Sequence, residues 1–188
     1  MLAKARTVAT TAHEGQTRRD GKTPYITHPY AVAELVEGDD AKAVAMLHDV
    51  VEDTSVTLAE LEKEFPERIT KAVDAMSHRD GEGYCKYVLR LRHNDLARQV
   101  KIADITHNMS TLEDNKKTIT RIRRERYNLA MHVLRGEDLD LDADEDDRYN
   151  QAFRIMNSAV DSAAEAARQL GVVEGTISEW FHDLVREV

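Results

Sequence analysis

One imidazole and three carboxylates lie within six residues of each other in segment 43–54, AVAMLHDVVEDT; they belong to His48, Asp49, Glu52 and Asp53. On a helix, His48 falls on the apolar stripe of this segment and points toward the core. Carboxylates buried this close together repel one another, and a shared cation relieves that cost. The segment indicates a cation site, with a core histidine beside a solvated acidic turn as the alternative.

A further acid follows on an apolar helix face in segment 100–109, VKIADITHNM. Val100 and Asp104 are four residues apart, and Asn108 continues the same stripe. A carboxylate on an apolar face is costly unless it is paired. Asp104 is therefore a candidate cation ligand, and the alternative is an acid that forms an ion pair with Lys101.

The loop 17–30, TRRDGKTPYITHPY, combines basic side chains with a histidine at its end, His28. Arg18, Arg19 and Lys22 are suited to a phosphate-rich ligand. The alternative is a basic loop that is simply solvated.

Helical periodicity dominates the elements that must position these residues, and no stretch alternates convincingly as a strand. The sequence predicts an all-α fold, with helices near 2–14, 29–37, 40–53, 57–65, 66–77, 84–92, 94–109, 115–135, 146–170 and 175–187. Thr57 and Glu60 form a candidate capping box, and Asn94 is placed to cap the helix that carries Asp104.

Composition limits the class of protein. The 188 residues suit one domain with a real core, and no apolar run approaches the length of a membrane span. The N-terminus lacks the apolar centre of a secretory signal, and a single cysteine excludes an internal disulfide, so we expect a cytoplasmic protein. A net charge of -9 argues against broad nucleic-acid binding.

The charge is unevenly distributed. Residues 137–147 carry eight acids and no bases, whereas residues 116–126 carry six bases and one acid. The protein can thus present cationic side chains to an anionic ligand although it is acidic overall. We expect a single domain with a core over 1–136, an acidic loop over 137–147, and helices over 148–188 that pack on the core or on a second subunit.

The order of the candidate ligands, His28, then His48–Asp49, then Asp104, resembles that of the HD superfamily of metal phosphohydrolases. The fold of that superfamily is a compact helical bundle. The motifs GKTPYITHP, MLHDVVEDT and VKIADITHNM are similar to successive motifs of the hydrolase half of RelA/SpoT-type alarmone enzymes. The free-standing form of that half is the small alarmone hydrolase known from metazoans. The resemblance covers roughly residues 3–135.

The resemblance implies one divalent metal, manganese in the family, although the donor set also suits iron, cobalt or zinc. Its implied ligands are His28, His48, Asp49 and Asp104. Glu52 and Asp53 match the acidic pair that orients the attacking water and transfers a proton.

The implied substrate is a guanosine alarmone, hydrolysed at its 3′-pyrophosphate to GDP or GTP and pyrophosphate. Arg18, Arg19 and Asn108 match residues near the nucleotide in this family. Tyr127 lies about where a tyrosine holds the nucleotide, with a half-buried core aromatic as the alternative. No synthetase activity, membrane partner or nucleic-acid partner is expected.

Departures from the long bifunctional enzymes keep other functions open. Ile105 and Thr106 replace a basic residue and a leucine, and segment 77–88 differs as well. One alternative is an HD phosphohydrolase acting on another nucleotide, such as a nucleoside monophosphate or NADPH. Another is a non-catalytic nucleotide-binding regulator, against which the intact Glu52–Asp53 pair argues.

Overall fold

The computed structural model describes residues 1–82, 84–112 and 118–135, and its regular elements in these ranges are helices. An isolated antiparallel bridge joins Thr17 to Pro24 in the loop before the second helix. The all-α prediction is confirmed. In the described ranges, no helix has both the length and the apolar character that crossing a bilayer requires. The acidic loop predicted over 137–147 and the helices predicted over 146–170 and 175–187 lie outside the described residues.

The helices follow one another along the chain with short connections. They are α1 (Leu2–Ala12), α2 (Thr27–Glu34), α3 (Asp39–Leu47), α4 (Val50–Asp53), α5 (Leu58–Glu64), α6 (Glu67–Met76), α7 (Tyr84–Leu91), α8 (Asp95–Ser110) and α9 (Thr118–Arg135).

The chain divides into two compact units. The first comprises residues 1–80 and 90–110; the described part of the second comprises 81–82, 84–89, 111–112 and 118–135. In the second unit, α9 buries Ala130, Val133 and Leu134. The expected division at 136 and 147 stays a prediction.

Helix α3 is the central element of the first unit, where it packs against α1, α2, α6 and α8. Its residues 43–47 are completely buried. Ala41, Ala43 and Ala45 keep its surface narrow, and small side chains at a contact allow neighbouring helices to approach closely. The alanine-rich sequence thus brings four helices around one segment.

The helix predicted over 40–53 is interrupted, and this boundary prediction was wrong. Helix α3 ends at Leu47 and α4 begins at Val50, so His48 and Asp49 form the junction. The His48 ring pairs through Nδ1 with the carbonyl oxygen of Ala45 at 2.7 Å, which satisfies a carbonyl group in the last turn of α3. At this junction the side chains of His48 and Asp49 approach each other, with 3.0 Å between Nε2 and Oδ2.

Both predicted helix caps are present. Thr57 accepts a hydrogen bond from the backbone N–H of Glu60, and the Glu60 carboxylate accepts one from the backbone N–H of Thr57 at 2.8 Å. The Asn94 side chain accepts a hydrogen bond from the backbone N–H of Ala97 at 3.0 Å, at the start of α8. Local sequence therefore determines where α5 and α8 begin.

Substitution Thr57→Ala tests the capping box. Loss of the hydroxyl removes the side-chain acceptor of a backbone N–H in the first turn of α5, so we expect the free energy of unfolding to fall by about 1 kcal/mol. Urea unfolding followed by circular dichroism measures the change. Thr10→Ala, on an exposed position of α1, is the matched control and should cause no loss. Equal stability of Thr57→Ala and wild type would contradict this role.

Candidate metal centre

His28, His48 and Asp104 converge inside the first unit, where each is at most 5% exposed. They come from the first turn of α2, the end of α3 and the middle of α8. Each offers one ligand atom, and these atoms all lie within 4.8 Å of one another. Such a cluster can hold a divalent metal ion.

Asp49 adds a second carboxylate to this cluster. Its Oδ2 lies 3.0 Å from His48 Nε2 and 3.7 Å from His28 Nε2. The structure thus brings together the four side chains that the sequence selected as metal ligands.

The histidine nitrogens fit a metal. His48 uses Nδ1 to reach the Ala45 carbonyl, which requires a proton on Nδ1 and leaves the lone pair of the neutral ring on Nε2. That Nε2 is buried and makes no well-formed hydrogen bond, although Asp49 is close. An imidazole whose other nitrogen bonds a backbone carbonyl is the usual arrangement of a metal-binding histidine.

Asp104 has its two oxygens in different surroundings. Oδ1 lies 3.1 Å from His28 Nε2 and accepts a hydrogen bond from the Asn108 amide at 2.5 Å. Oδ2 forms the ion pair with Lys101 at 3.0 Å, so the pairing considered as an alternative occurs together with the cluster. Burial raises the pKa of the Asp104 carboxyl, but the positive charge of Lys101 and the contacts with the two histidines lower it by a larger amount. The resulting pKa is well below the usual range.

The two histidines differ in their pKa. Burial lowers the pKa of His28. Burial acts on His48 in the same direction, but the carboxylates of Asp49 and Asp104 outweigh it and raise its pKa to about 9. In the metal-free protein the proton on His48 therefore compensates part of the buried negative charge.

Glu52 and Asp53, the predicted catalytic pair, lie on α4 next to this cluster in sequence, and both are exposed residues. Glu52 Oε1 accepts a hydrogen bond from the backbone N–H of His78 at 2.7 Å. The protein around its carboxyl group raises the pKa of Glu52 by desolvation, and the negative charges of Asp49 and Asp53 add to this effect. A raised pKa makes this carboxyl group a better proton acceptor than an ordinary glutamate.

Two predicted substrate contacts lie beside the cluster. Arg18 donates a hydrogen bond to Asn108 Oδ1 at 3.4 Å, and Asn108 in turn donates to Asp104. Arg19 is exposed on the same loop. Tyr127 lies on α9 in the second unit, where it is 7% exposed. Its role as a nucleotide contact stays a prediction.

Two residues near the cluster were missed by sequence reasoning. His107 pairs with His28 through their Nδ1 atoms at 2.7 Å, and Tyr25 places its hydroxyl 2.5 Å from Asp49 Oδ2. The position of His107, three residues after Asp104 on one helix, was a signal for the first. Tyr25 stands within the motif GKTPYITHP, but no periodicity singles it out.

The raised pKa of His48 predicts a pH dependence for the stability of the metal-free protein. A folded-state pKa of about 9 exceeds the pKa of ~6.5 of an unfolded histidine. The proton on His48 therefore contributes its full stabilisation below pH ~6.5. This contribution is lost as the pH rises through about 9, and it amounts to about 3 kcal/mol at most.

We therefore expect the free energy of unfolding to fall more steeply between about pH 6.5 and 9 in wild type than in His48→Gln. Urea titrations in the presence of a chelator measure both slopes. His93→Gln, at an exposed position, is the matched control for loss of an imidazole. Parallel slopes for wild type and His48→Gln would contradict the assigned protonation.

Comparison with known proteins agrees with this arrangement. Residues 5–86 match the family model described as HD domain. The bifunctional (p)ppGpp synthase/hydrolase SpoT of Escherichia coli K12 is 32% identical over an alignment of 205 positions. This alignment covers 95% of this chain and 29% of that protein. A guanosine-3′,5′-bis(diphosphate) 3′-pyrophosphohydrolase of Haemophilus influenzae is 33% identical over 178 residues, which cover 81% of this chain and 26% of that protein. The chain thus spans less than a third of the length of these relatives.

A solved structure has a similar fold. It is that of a metazoan orthologue of SpoT described as hydrolysing ppGpp, and it aligns with a TM-score of 0.53 at 20% identity. The alignment covers 92% of this chain and 96% of the other. Since the helical fold, the buried histidine–aspartate cluster and the family match agree, residues 5–86 of the chain belong to the HD domain family.

Proposed function

We propose that this chain is a manganese-dependent (p)ppGpp hydrolase, which removes the 3′-pyrophosphate and releases GDP or GTP and pyrophosphate. The observation that supports it is a cluster of two buried imidazoles, the buried Asp104 carboxylate and the partly exposed Asp49 carboxylate, with the acidic pair Glu52–Asp53 on the short helix that follows Asp49. The metal ligands we propose are His28, His48, Asp49 and Asp104. We expect no synthetase activity from these residues.

The reaction adds water across one P–O bond. The water oxygen bonds to the phosphorus attached to the 3′ oxygen, that P–O bond breaks, and the 3′ oxygen leaves with a proton. A bound divalent cation supplies positive charge to the phosphate oxygens and a more acidic water. Glu52 and Asp53 are the groups that we assign to orienting the water and accepting its proton.

Manganese is the metal that we propose from the family resemblance. Two nitrogen and two oxygen donors suit a first-row transition metal and do not favour calcium or magnesium, which prefer oxygen ligands. The tautomer fixed at His48 by the Ala45 carbonyl is consistent with a nitrogen donor to such a metal.

The guanosine alarmone is proposed from the relatives that carry this activity in their names. Arg18 and Asn108 form a polar edge beside Asp104, and a guanidinium beside a cation site suits a pyrophosphate group. Arg19, exposed on the same loop as Arg18, is a further substrate contact that we propose.

The central test is pyrophosphate release from ppGpp by the manganese-loaded protein, with a nucleoside monophosphate and NADPH as competing substrates. We expect Asp104→Asn to reduce kcat by more than about 100-fold, because loss of an outer contact of a metal site alone costs about 10- to 100-fold. Asp95→Asn is the matched control, since Asp95 lies on the same helix with a side chain 91% exposed.

Two results would contradict the proposal. Turnover confined to NADPH or a nucleoside monophosphate would leave the metal site in place but reject the alarmone. Binding of ppGpp without turnover of any nucleotide would indicate a regulator instead of an enzyme.

Arg18→Ala tests the substrate contact separately from the metal. Loss of one charge-assisted hydrogen bond, about 1.5 kcal/mol, should raise KM for ppGpp about tenfold. We expect Mn²⁺ affinity to stay at the wild-type value, as measured by isothermal titration calorimetry. Arg98→Ala, at a side chain 45% exposed on α8, is the control. An unchanged KM for Arg18→Ala would exclude Arg18 from the substrate site.

A further inference from the structure

The hydroxyl group of Tyr25 lies between two carboxylates. Its oxygen is 2.5 Å from Asp49 Oδ2 and 3.1 Å from Asp53 Oδ2. One side chain therefore contacts both a proposed metal ligand and a member of the proposed catalytic pair.

The contact with Asp49 involves the oxygen that matters for the cluster. Asp49 Oδ2 is also the atom 3.0 Å from His48 Nε2 and 3.7 Å from His28 Nε2. The direction in which Asp49 presents this oxygen to the two histidines thus depends on where the tyrosine holds it.

The hydroxyl group of Tyr25 can donate a hydrogen bond to carboxylates that can only accept one. Ionised carboxylates only accept hydrogen bonds, and a phenol has one proton to donate. Two carboxylate oxygens near one point repel each other, and a hydroxyl proton donated to either of them reduces that repulsion. Without the hydroxyl, we expect Asp49 and Asp53 to turn apart.

Tyr25 is itself held by residues that also hold Asp53. Its ring packs against His13, with centroids 4.7 Å apart, and its backbone N–H donates to the Gln16 carbonyl at 2.9 Å. The Gln16 side chain donates to the backbone carbonyl of Asp53 at 2.8 Å and pairs with His13 Nδ1 at 2.8 Å. The hydroxyl and its second partner are therefore fixed by the same few residues, as a preorganised site requires.

We propose that Tyr25 is a positioning residue that sets the orientation of Asp49 toward the metal and of Asp53 toward the attacking water. This inference rests on the proposed function for its kinetic part. Its metal-binding part requires only the buried cluster.

The first measurement uses the metal alone. We expect Tyr25→Phe to weaken Mn²⁺ binding about tenfold or more in isothermal titration calorimetry, since groups that orient metal ligands have effects of this size. Tyr30→Phe is the matched control, because Tyr30 is 38% exposed on α2 and undergoes the same chemical change. An unchanged Kd for Tyr25→Phe would overturn the role toward Asp49.

The second measurement uses ppGpp at saturating Mn²⁺, where the weaker metal affinity no longer limits the rate. We expect Tyr25→Phe to lower kcat about tenfold and to leave KM within about twofold. In an Asp53→Asn background the same substitution should lower kcat much less, because the partner it orients has been altered. Fully additive losses would overturn the role toward Asp53.

The two measurements separate this inference from the proposed function. A wild-type protein that binds Mn²⁺ but does not hydrolyse ppGpp rejects the alarmone, while weaker Mn²⁺ binding by Tyr25→Phe still supports positioning of Asp49. The converse result is that wild type hydrolyses ppGpp while Tyr25→Phe keeps the Kd and kcat of wild type. That result supports the function and rejects the positioning role.

Discussion

The first unit depends on the compensation of negative charge inside it. Asp104 is 5% exposed, and the carboxylate of Asp49 lies against two buried histidines. Unpaired carboxylates in such surroundings cost several kcal/mol each. Lys101 compensates one oxygen of Asp104, and the proton on His48 compensates the rest in the metal-free protein. A divalent cation bound between these side chains would compensate the same negative charge, so charge compensation links the stability of the cluster to its capacity for metal.

Two residues of the cluster lie where α3 gives way to α4. At the junction between α3 and α4, His48 and Asp49 keep helical backbone angles, and Asp49 Oδ2 lies 3.0 Å from His48 Nε2. The same junction begins the short helix that carries Glu52 and Asp53. The proposed ligands and the proposed proton-transfer groups thus share one local feature, and the hydroxyl of Tyr25 connects them across it.

Much of this arrangement was predictable because it is local. The capping box at Thr57 and the cap at Asn94 depend on hydrogen bonds over three residues, and the apolar spacing around Asp104 correctly placed it inside the unit. The interrupted helix was not predictable from periodicity, since His48 continues the apolar stripe of α3. Tyr25 and His107 act through partners 24 and 79 residues away, and such contacts depend on how helices pack.

The Ala45 carbonyl joins the chemistry of this unit to the packing of its core. Ala45 has no exposed surface, and it lies on the helix that four others contact. A larger side chain there would displace the backbone oxygen that aims the His48 ring. A substitution at this position would therefore change both the packing of the core and the direction of an imidazole. Repacking the interior here would also reshape the candidate metal centre.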